Sequence, residues 1–346
     1  MTFYNELQLN QTGSKNLINN SKCLKEKIRH IAIYLFKIFI TMFFCVAFVI
    51  AFSKFLGIDN SIVGVVVLLF VLVFRNADLG FYTKHAIPTL SFIFLILAIG
   101  PRLSNISSLP IEFLIHTISI FLLMFLGCHN IMMFNQSTLV LGYLLLYDYD
   151  VSGVAYIKRL IGLFIGALMT ILIYYRNHRE KTYEDKIIDV FKNFNIDSDK
   201  TKWQLSLTLA VSSILFLGNL INLPRPMWAG IAAMSIIVPF SKEQKRRAKS
   251  RILGNIIGSI LVIIIYTYCP NVIYDNIGIL GGICVGLSAT YGFQSIFNTF
   301  GAISIAASIL GFPAAIFYRI FNNILGSVYG LFFNKFFCKS IKSISN

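Results

Sequence analysis

A succession of apolar segments fills most of the chain, at residues 31–52, 61–74, 86–100, 110–127, 136–147, 155–175, 203–222, 226–240, 252–269, 274–289, 294–310 and 314–337. Read as helices they number about twelve, and several are shorter than the ~20 residues that cross a bilayer alone. The 346 residues are 56% hydrophobic and only 13% charged, with a mean hydropathy of +0.73. A water-soluble fold of this length cannot hide so much apolar surface, so the expected class is an all-α integral membrane protein with the bilayer as its solvent. The short segments 61–74, 86–100, 136–147 and 226–240 read as broken or partial spans bordering a cavity, as in many transporters.

Charge then orients the helices. Lys15, Lys22, Lys25, Lys27 and Arg29 precede the first apolar segment, and Lys242, Lys245, Arg246, Arg247, Lys249 and Arg251 crowd the 241–251 loop. Counting spans alternately puts both groups inside, along with the 176–202 linker and the tail carrying Lys335, Lys339 and Lys342. The net charge of +15 is thus accounted for mainly by topology. No aromatic-plus-basic soluble face points to nucleic acid. The expected organisation is a basic cytoplasmic N-terminus (1–30), a six-helix membrane repeat (31–175), a cytoplasmic linker (176–202), a second six-helix repeat (203–338) and a cytoplasmic tail (339–346). The location is a plasma or inner membrane, crossed many times. The first thirty residues are polar and no small-residue cleavage site follows the first apolar run, so no signal peptide is expected there. The scattered cysteines, Cys23, Cys45, Cys128, Cys269, Cys284 and Cys338, contain no C-x-x-C pair and suggest neither a metal site nor a disulfide framework. In the linker, Tyr183, Ile187, Phe191 and Phe194 recur at helical spacing and predict a short amphipathic helix.

The two halves resemble each other. "GVVVLLFVLVF" from Gly64 lies over "GIAAMSIIVPF" from Gly230 without a gap, and the same offset sets His85 against Arg251. A sharper repeat is "RLIGLFIGA" from Arg159, "RILGNIIGS" from Arg251 and "RIFNNILGS" from Arg319. Each arginine is followed, one turn on, by Gly162, Gly254 or Asn322 and, two turns on, by Gly166, Gly258 or Gly326, so all share a helix face. Successive copies lie an odd number of spans apart, which is the mark of an inverted 3+3 repeat within each half.

These residues admit two readings. The pairs Gly162/Gly166, Gly254/Gly258 and Gly326/Gly330 have the small-xxx-small spacing of close helix packing. The arginines are either interfacial anchors or fixed charges on an anion path, where a guanidinium would offer a carboxylate a planar fork of donors. On the second reading the substrate-binding candidates are Arg251, Arg159 and Arg319, with Lys158, His85, Asn322 and Asn323 beside them. Glu112 and His116, four apart on one helix, are either an interfacial hydrogen-bonded pair or a proton-coupling pair. No phosphate loop, H-E-x-x-H or G-x-S-x-G occurs, so no enzyme, metal or cofactor is expected.

The stretch "PRPMWAGIAAMSIIVPFSKEQKRRAKSRILGNIIGSILVIIIY" resembles the core of the fusaric acid resistance family of bacterial membrane proteins, which includes aromatic carboxylic acid exporters. Pro226 and Trp228 stand at a proline-plus-aromatic helix start, and Arg251 and Gly254 at the arginine-x-x-glycine opening after the basic loop. The plant aluminium-activated malate transporters are similar over the same region. The first-half segment "LGYLLLYDYDVSGVAYIKRLIGLFIGALMTILIYY" also looks like a family segment. The linker is short where many relatives carry a large helical domain, and His85 stands in place of the motif arginine. The resemblance implies export of organic, aromatic carboxylic anions. A passive anion channel and a non-transporting membrane scaffold are the alternatives. The expected partners are a small organic anion and the lipid bilayer, with a homo-oligomer or accessory membrane protein left open. Coupling is open among proton antiport, membrane potential and a partner protein.

Overall fold

The computed structural model describes residues 2–288 and 290–344, and among them there is no strand. Two short helices, α1 (Phe3–Gln8) and α2 (Gln11–Asn19), precede the long α3 (Leu24–Leu56). Then come α4 (Ser61–Phe74), α5 (Thr83–Ile106), α6 (Leu109–Gly127), α7 (Gln136–Asp148) and α8 (Gly153–His178), with α9 (Ile187–Lys192) in the linker. The rest is α10 (Asp199–Leu220), α11 (Met227–Ile236), α12 (Ser241–Tyr268), α13 (Asn271–Asp275), α14 (Ile277–Leu287), α15 (Tyr291–Leu310) and α16 (Phe312–Ile344). Each apolar segment of the sequence coincides largely with helix, although 237–240 of the 226–240 segment are not helical and residue 289 of the 274–289 segment lies outside the described residues. Ser345 and Asn346 of the expected tail lie outside the described residues.

Seven helices among the described residues, α3, α5, α6, α8, α10, α12 and α15, are long and apolar enough to cross a membrane. The protein is therefore an all-helical, multi-pass membrane protein. One short span needs correction. The 86–100 segment is part of a 24-residue helix that runs through Pro88 and Pro101 to Ile106. Apolarity stops at Pro101 because the last turns carry Arg102, Ser104 and Asn105, all of which find protein partners. A prolyl break is tolerated in a span when neighbouring groups satisfy the freed backbone.

The 226–240 segment is only partly helical. Helix α11 has 10 residues and ends at Ile236, before Pro239, which can neither donate a backbone hydrogen bond nor let its predecessor stay helical. The unwound Ile237 and Val238 are buried. Their carbonyls are taken up by side chains: Trp203 Nε1 donates to Ile237 O at 2.9 Å, and Gln244 Nε2 to Val238 O at 2.9 Å. Buried irregular backbone at membrane depth requires such partners.

Contacts divide the chain into two compact units, one of Met1–Ala47 with Lys249–Asn323 and the other of Phe48–Ala248 with Ile324–Asn346. The division falls within α3, α12 and α16. In the larger unit, α4, α7 and α11 are short because they are interior. Helix α7 packs on α4, α5, α6 and α11 and buries residues on all sides, Leu139, Val140, Tyr143, Leu144 and Leu146 completely. Long helices such as α5, α6 and α8 present exposed Phe92, Ile118 and Phe164 instead, a suitable face for lipid. The linker helix α9 lays Phe191 against Phe125 of α6, ring centroids 5.0 Å apart.

In the smaller unit α14 packs on α15. There α1 and α2 are held to α3 by a buried Glu6–His30 contact of 2.9 Å and by Lys37. Its ammonium donates to Leu9 O at 2.9 Å and to Ser14 Oγ at 2.7 Å.

Candidate functional site

Arg251 sits at the point of α12 where the basic loop gives way to apolar helix, and only 8% of it is exposed. Its position is fixed by the glycines that follow it. A Cβ on Gly254 would stand 2.7 Å from Ser295 Cβ and 3.0 Å from Gly292 O, and one on Gly258 would stand 2.9 Å from Thr299 Cβ. Helix α12 therefore meets α15 backbone to backbone, and any side chain there would push the helices apart. Asn255 tightens the same seam: its amide donates to Arg251 O at 2.9 Å while its oxygen accepts from Thr299 Oγ1 at 3.1 Å.

The guanidinium meets only neutral groups. Nε donates to Asn323 Oδ1 at 3.0 Å and Nη1 to the Tyr291 hydroxyl at 3.3 Å. Among the described residues no carboxylate pairs with it and no acceptor meets Nη2. Asn323 is fully buried and is itself oriented by its amide bond to Arg319 O at 2.7 Å. Arg319 and Asn322, on the same helix, are also buried. The structure thus gathers Arg251 and Asn323, with Tyr291, around a buried positive charge that has hydrogen-bonding capacity left over. Isolated charge in a low-dielectric site is costly, and an anion relieves that cost.

The second arginine of the repeat belongs to the other unit and is used differently. Arg159 is 2% exposed, and all its contacts are acceptors of the protein. Nε donates to Asn60 Oδ1 at 3.3 Å, Nη1 to Leu146 O at 3.1 Å and Nη2 to Tyr149 O. The last two are carbonyls around the C-terminus of α7, where a cation is favoured by the helix dipole and by orphan acceptors. Asn60 in turn donates to Ala155 O at 2.8 Å, joining the start of α4 to α8. Gly162 and Gly166 bring α8 against Leu56, Val63 and Val67. Gly326 and Gly330 bring α16 against the backbone of Ala229 and Ala233 on α11. Lys158 is exposed, and His85 is half-buried, its Nδ1 accepting from Ile187 N at 3.3 Å where the linker docks.

Around the same end of α7 two more arginines are closed by carboxylates. Arg225 pairs with Asp148 and Arg102 with Asp150, and the Arg225 guanidinium lies 4.8 Å from the Tyr149 ring. Sequence reasoning missed all four residues, although "YDYD" at 147–150, acids at the foot of an apolar helix, was a visible signal.

Glu112 and His116 stand in a buried network drawn from four helices. His116, with no exposure, directs Nε2 to Glu112 Oε1 at 3.3 Å and Nδ1 to the Tyr143 hydroxyl at 2.8 Å. Ser104 Oγ lies 3.1 Å from the Tyr143 hydroxyl. Glu112 Oε1 also accepts from Tyr147, and from Asn219 Nδ2 at 2.8 Å. Ser104, Tyr143, Tyr147 and Asn219 could not be found from spacing, because each comes from a different turn or helix. Among the described residues no His, Cys, Asp and Glu side chains cluster as a metal site.

No curated protein and no solved structure matches the chain. Residues 210–333, which include Arg251, Tyr291, Arg319 and Asn323, match the family model of fusaric acid resistance protein-like proteins. Over that segment, about a third of the chain, the protein is similar to the family.

Proposed function

We propose that this membrane protein is a transporter of organic anions, aromatic carboxylates foremost, and that it moves them outward across a plasma or inner membrane. The observation that carries the reading is Arg251, a buried guanidinium whose partners among the described residues are neutral and do not engage Nη2, whereas Arg102 and Arg225 are each closed by an aspartate. A carboxylate at Arg251 would take the spare donors in a charge-assisted bond and neutralise the site. Tyr291 and Asn323 would shape the pocket around it. Arg319 and Asn322 would line the adjoining stretch of α16. The finer architecture we propose is about twelve crossings in two inverted six-helix repeats, with both termini cytoplasmic and α11 as a broken helix at the membrane interior.

The test is efflux of labelled aromatic and dicarboxylic acids from proteoliposomes, wild type against Arg251→Ala. Saturable efflux that the substitution abolishes supports the reading. Steady anion current without saturation makes the protein a channel, in keeping with the expected likeness to plant malate transporters. No efflux of any acid by folded protein removes transport and leaves the scaffold.

A further inference from the structure

The transport reading leaves open what drives the anion, and the buried network around His116 supplies a candidate. We infer that His116, paired with Glu112, is a proton-binding site that couples proton movement to anion movement; this rests on the transport reading above.

The argument comes from hydrogen-bond directions. With His116 neutral, Nε2–H donates to Glu112 Oε1, and Nδ1 accepts the Tyr143 hydroxyl proton at 2.8 Å. The Ser104 hydroxyl donates to Gly100 O at 3.0 Å, which leaves its oxygen free to accept. When a proton from water binds the Nδ1 lone pair, the new N–H donates to the Tyr143 oxygen. Tyr143 then turns its own proton to Ser104 Oγ, 3.1 Å away, and the Ser104 bond to Gly100 stays as it was. One hydroxyl rotation satisfies both protonation states without moving a heavy atom. A merely structural histidine needs partners for one state only.

Charge balance agrees. Every bond made to Glu112 lands on Oε1, while Oε2 meets no protein donor among the described residues. Proton binding turns the Glu112–His116 pair from net negative to neutral. The neighbouring charges are already committed. On α7, Asp148 is closed by Arg225; on α5, Arg102 is closed by Asp150; on α8, Arg159 is held by carbonyls. Helix α10 presents the neutral Asn219, which bridges Glu112 and the Tyr147 hydroxyl at 2.8 and 2.7 Å. Among the described residues the pair therefore has no fixed cation to neutralise it, and a proton is the ligand it can take. Histidine changes charge within the physiological range.

The experiment has two arms. Purified protein in nanodiscs is titrated between about pH 5 and 8, wild type against His116→Gln, by counting protons taken up and by histidine nitrogen resonances. Proteoliposomes are then loaded with an aromatic carboxylate, and accumulation driven by a pH gradient is compared with anion exchange at equal pH. The inference expects His116→Gln to bind one proton fewer and to lose gradient-driven accumulation relative to exchange. Tyr143→Phe, which deletes the nearer of the two oxygens facing Nδ1 (the other, Ser104 Oγ, stands 3.3 Å away), is expected to weaken the gradient response. Equal proton counts, or a gradient response in His116→Gln equal to wild type, overturn the inference and leave the transport reading intact. If wild type moves no anion at all, the transport reading fails, and the titration arm alone decides whether His116 holds a proton.

Discussion

Arg225 and Arg251 are both largely buried, yet the structure gives them opposite roles, and the difference is measurable without any transport assay. Replacing Arg225 by methionine keeps the stem's packing but leaves the Asp148 carboxylate, 7% exposed, without its cation. Breaking one side of a buried ion pair costs about 3–5 kcal/mol. Replacing Arg251 by methionine takes one donor from each of two neutral groups, the Asn323 amide oxygen and the Tyr291 hydroxyl. Each such loss is worth about 1–3 kcal/mol. The same substitution removes a desolvated charge whose burial costs several kcal/mol when uncompensated. The two terms oppose, so Arg251→Met is expected to lie within about 1 kcal/mol of wild type when no anion is present. Arg225→Met should fall well below both. The assay is thermal unfolding in detergent, each variant with and without an aromatic carboxylate. Ligand at a hundredfold its Kd stabilises wild type by about 2.7 kcal/mol, and Arg251→Met should lose that increment while Arg225→Met retains it. Arg251→Met as damaging as Arg225→Met, with the anion increment still present, would refute the reasoning and make Arg251 a structural residue.

Two further outcomes follow from the same geometry. Gly258→Leu should destabilise the protein by more than about 3 kcal/mol, because its side chain would enter the Thr299 and Ile296 backbone seam, and loss of the monodisperse particle in detergent would show it. Arg159→Lys should also lower the unfolding temperature, since one ammonium cannot reach Asn60, Leu146 O and Tyr149 O together, yet it should leave the anion-induced shift in place.

Much of the fold can be read from hydropathy. The apolar segments coincide largely with helices, and the unwinding of 226–240 after Ile236 follows from Pro239. Helix ends were less legible. Helix α5 passes Pro101 and ends five residues later, and α3 begins at Leu24, among charges, because backbone hydrogen bonding continues where apolarity stops. The arrangement in space was hidden for a related reason: hydropathy reports what faces lipid or core, whereas the two compact units join segments from opposite ends of the chain. In the site, the arginine–glycine spacing was visible from Arg159, Arg251 and Arg319, and the glycines do sit at helix seams. The spacing did not show that Arg159 would be consumed by protein acceptors while Arg251 Nη2 would meet none among the described residues. That distinction depends on partners such as Asn60, Tyr291 and Asn323, which lie 40 to 99 residues away in sequence.

The central claim is that Arg251 offers its charge to a carboxylate in transit. The most direct test is saturable efflux of a labelled aromatic acid from proteoliposomes holding wild type, Arg251→Ala or Arg251→Lys. The account predicts saturable efflux by wild type, none by Arg251→Ala, and partial recovery with a raised half-saturation concentration for Arg251→Lys, which restores charge without the planar fork. Efflux by Arg251→Ala at the wild-type rate and half-saturation concentration would contradict it.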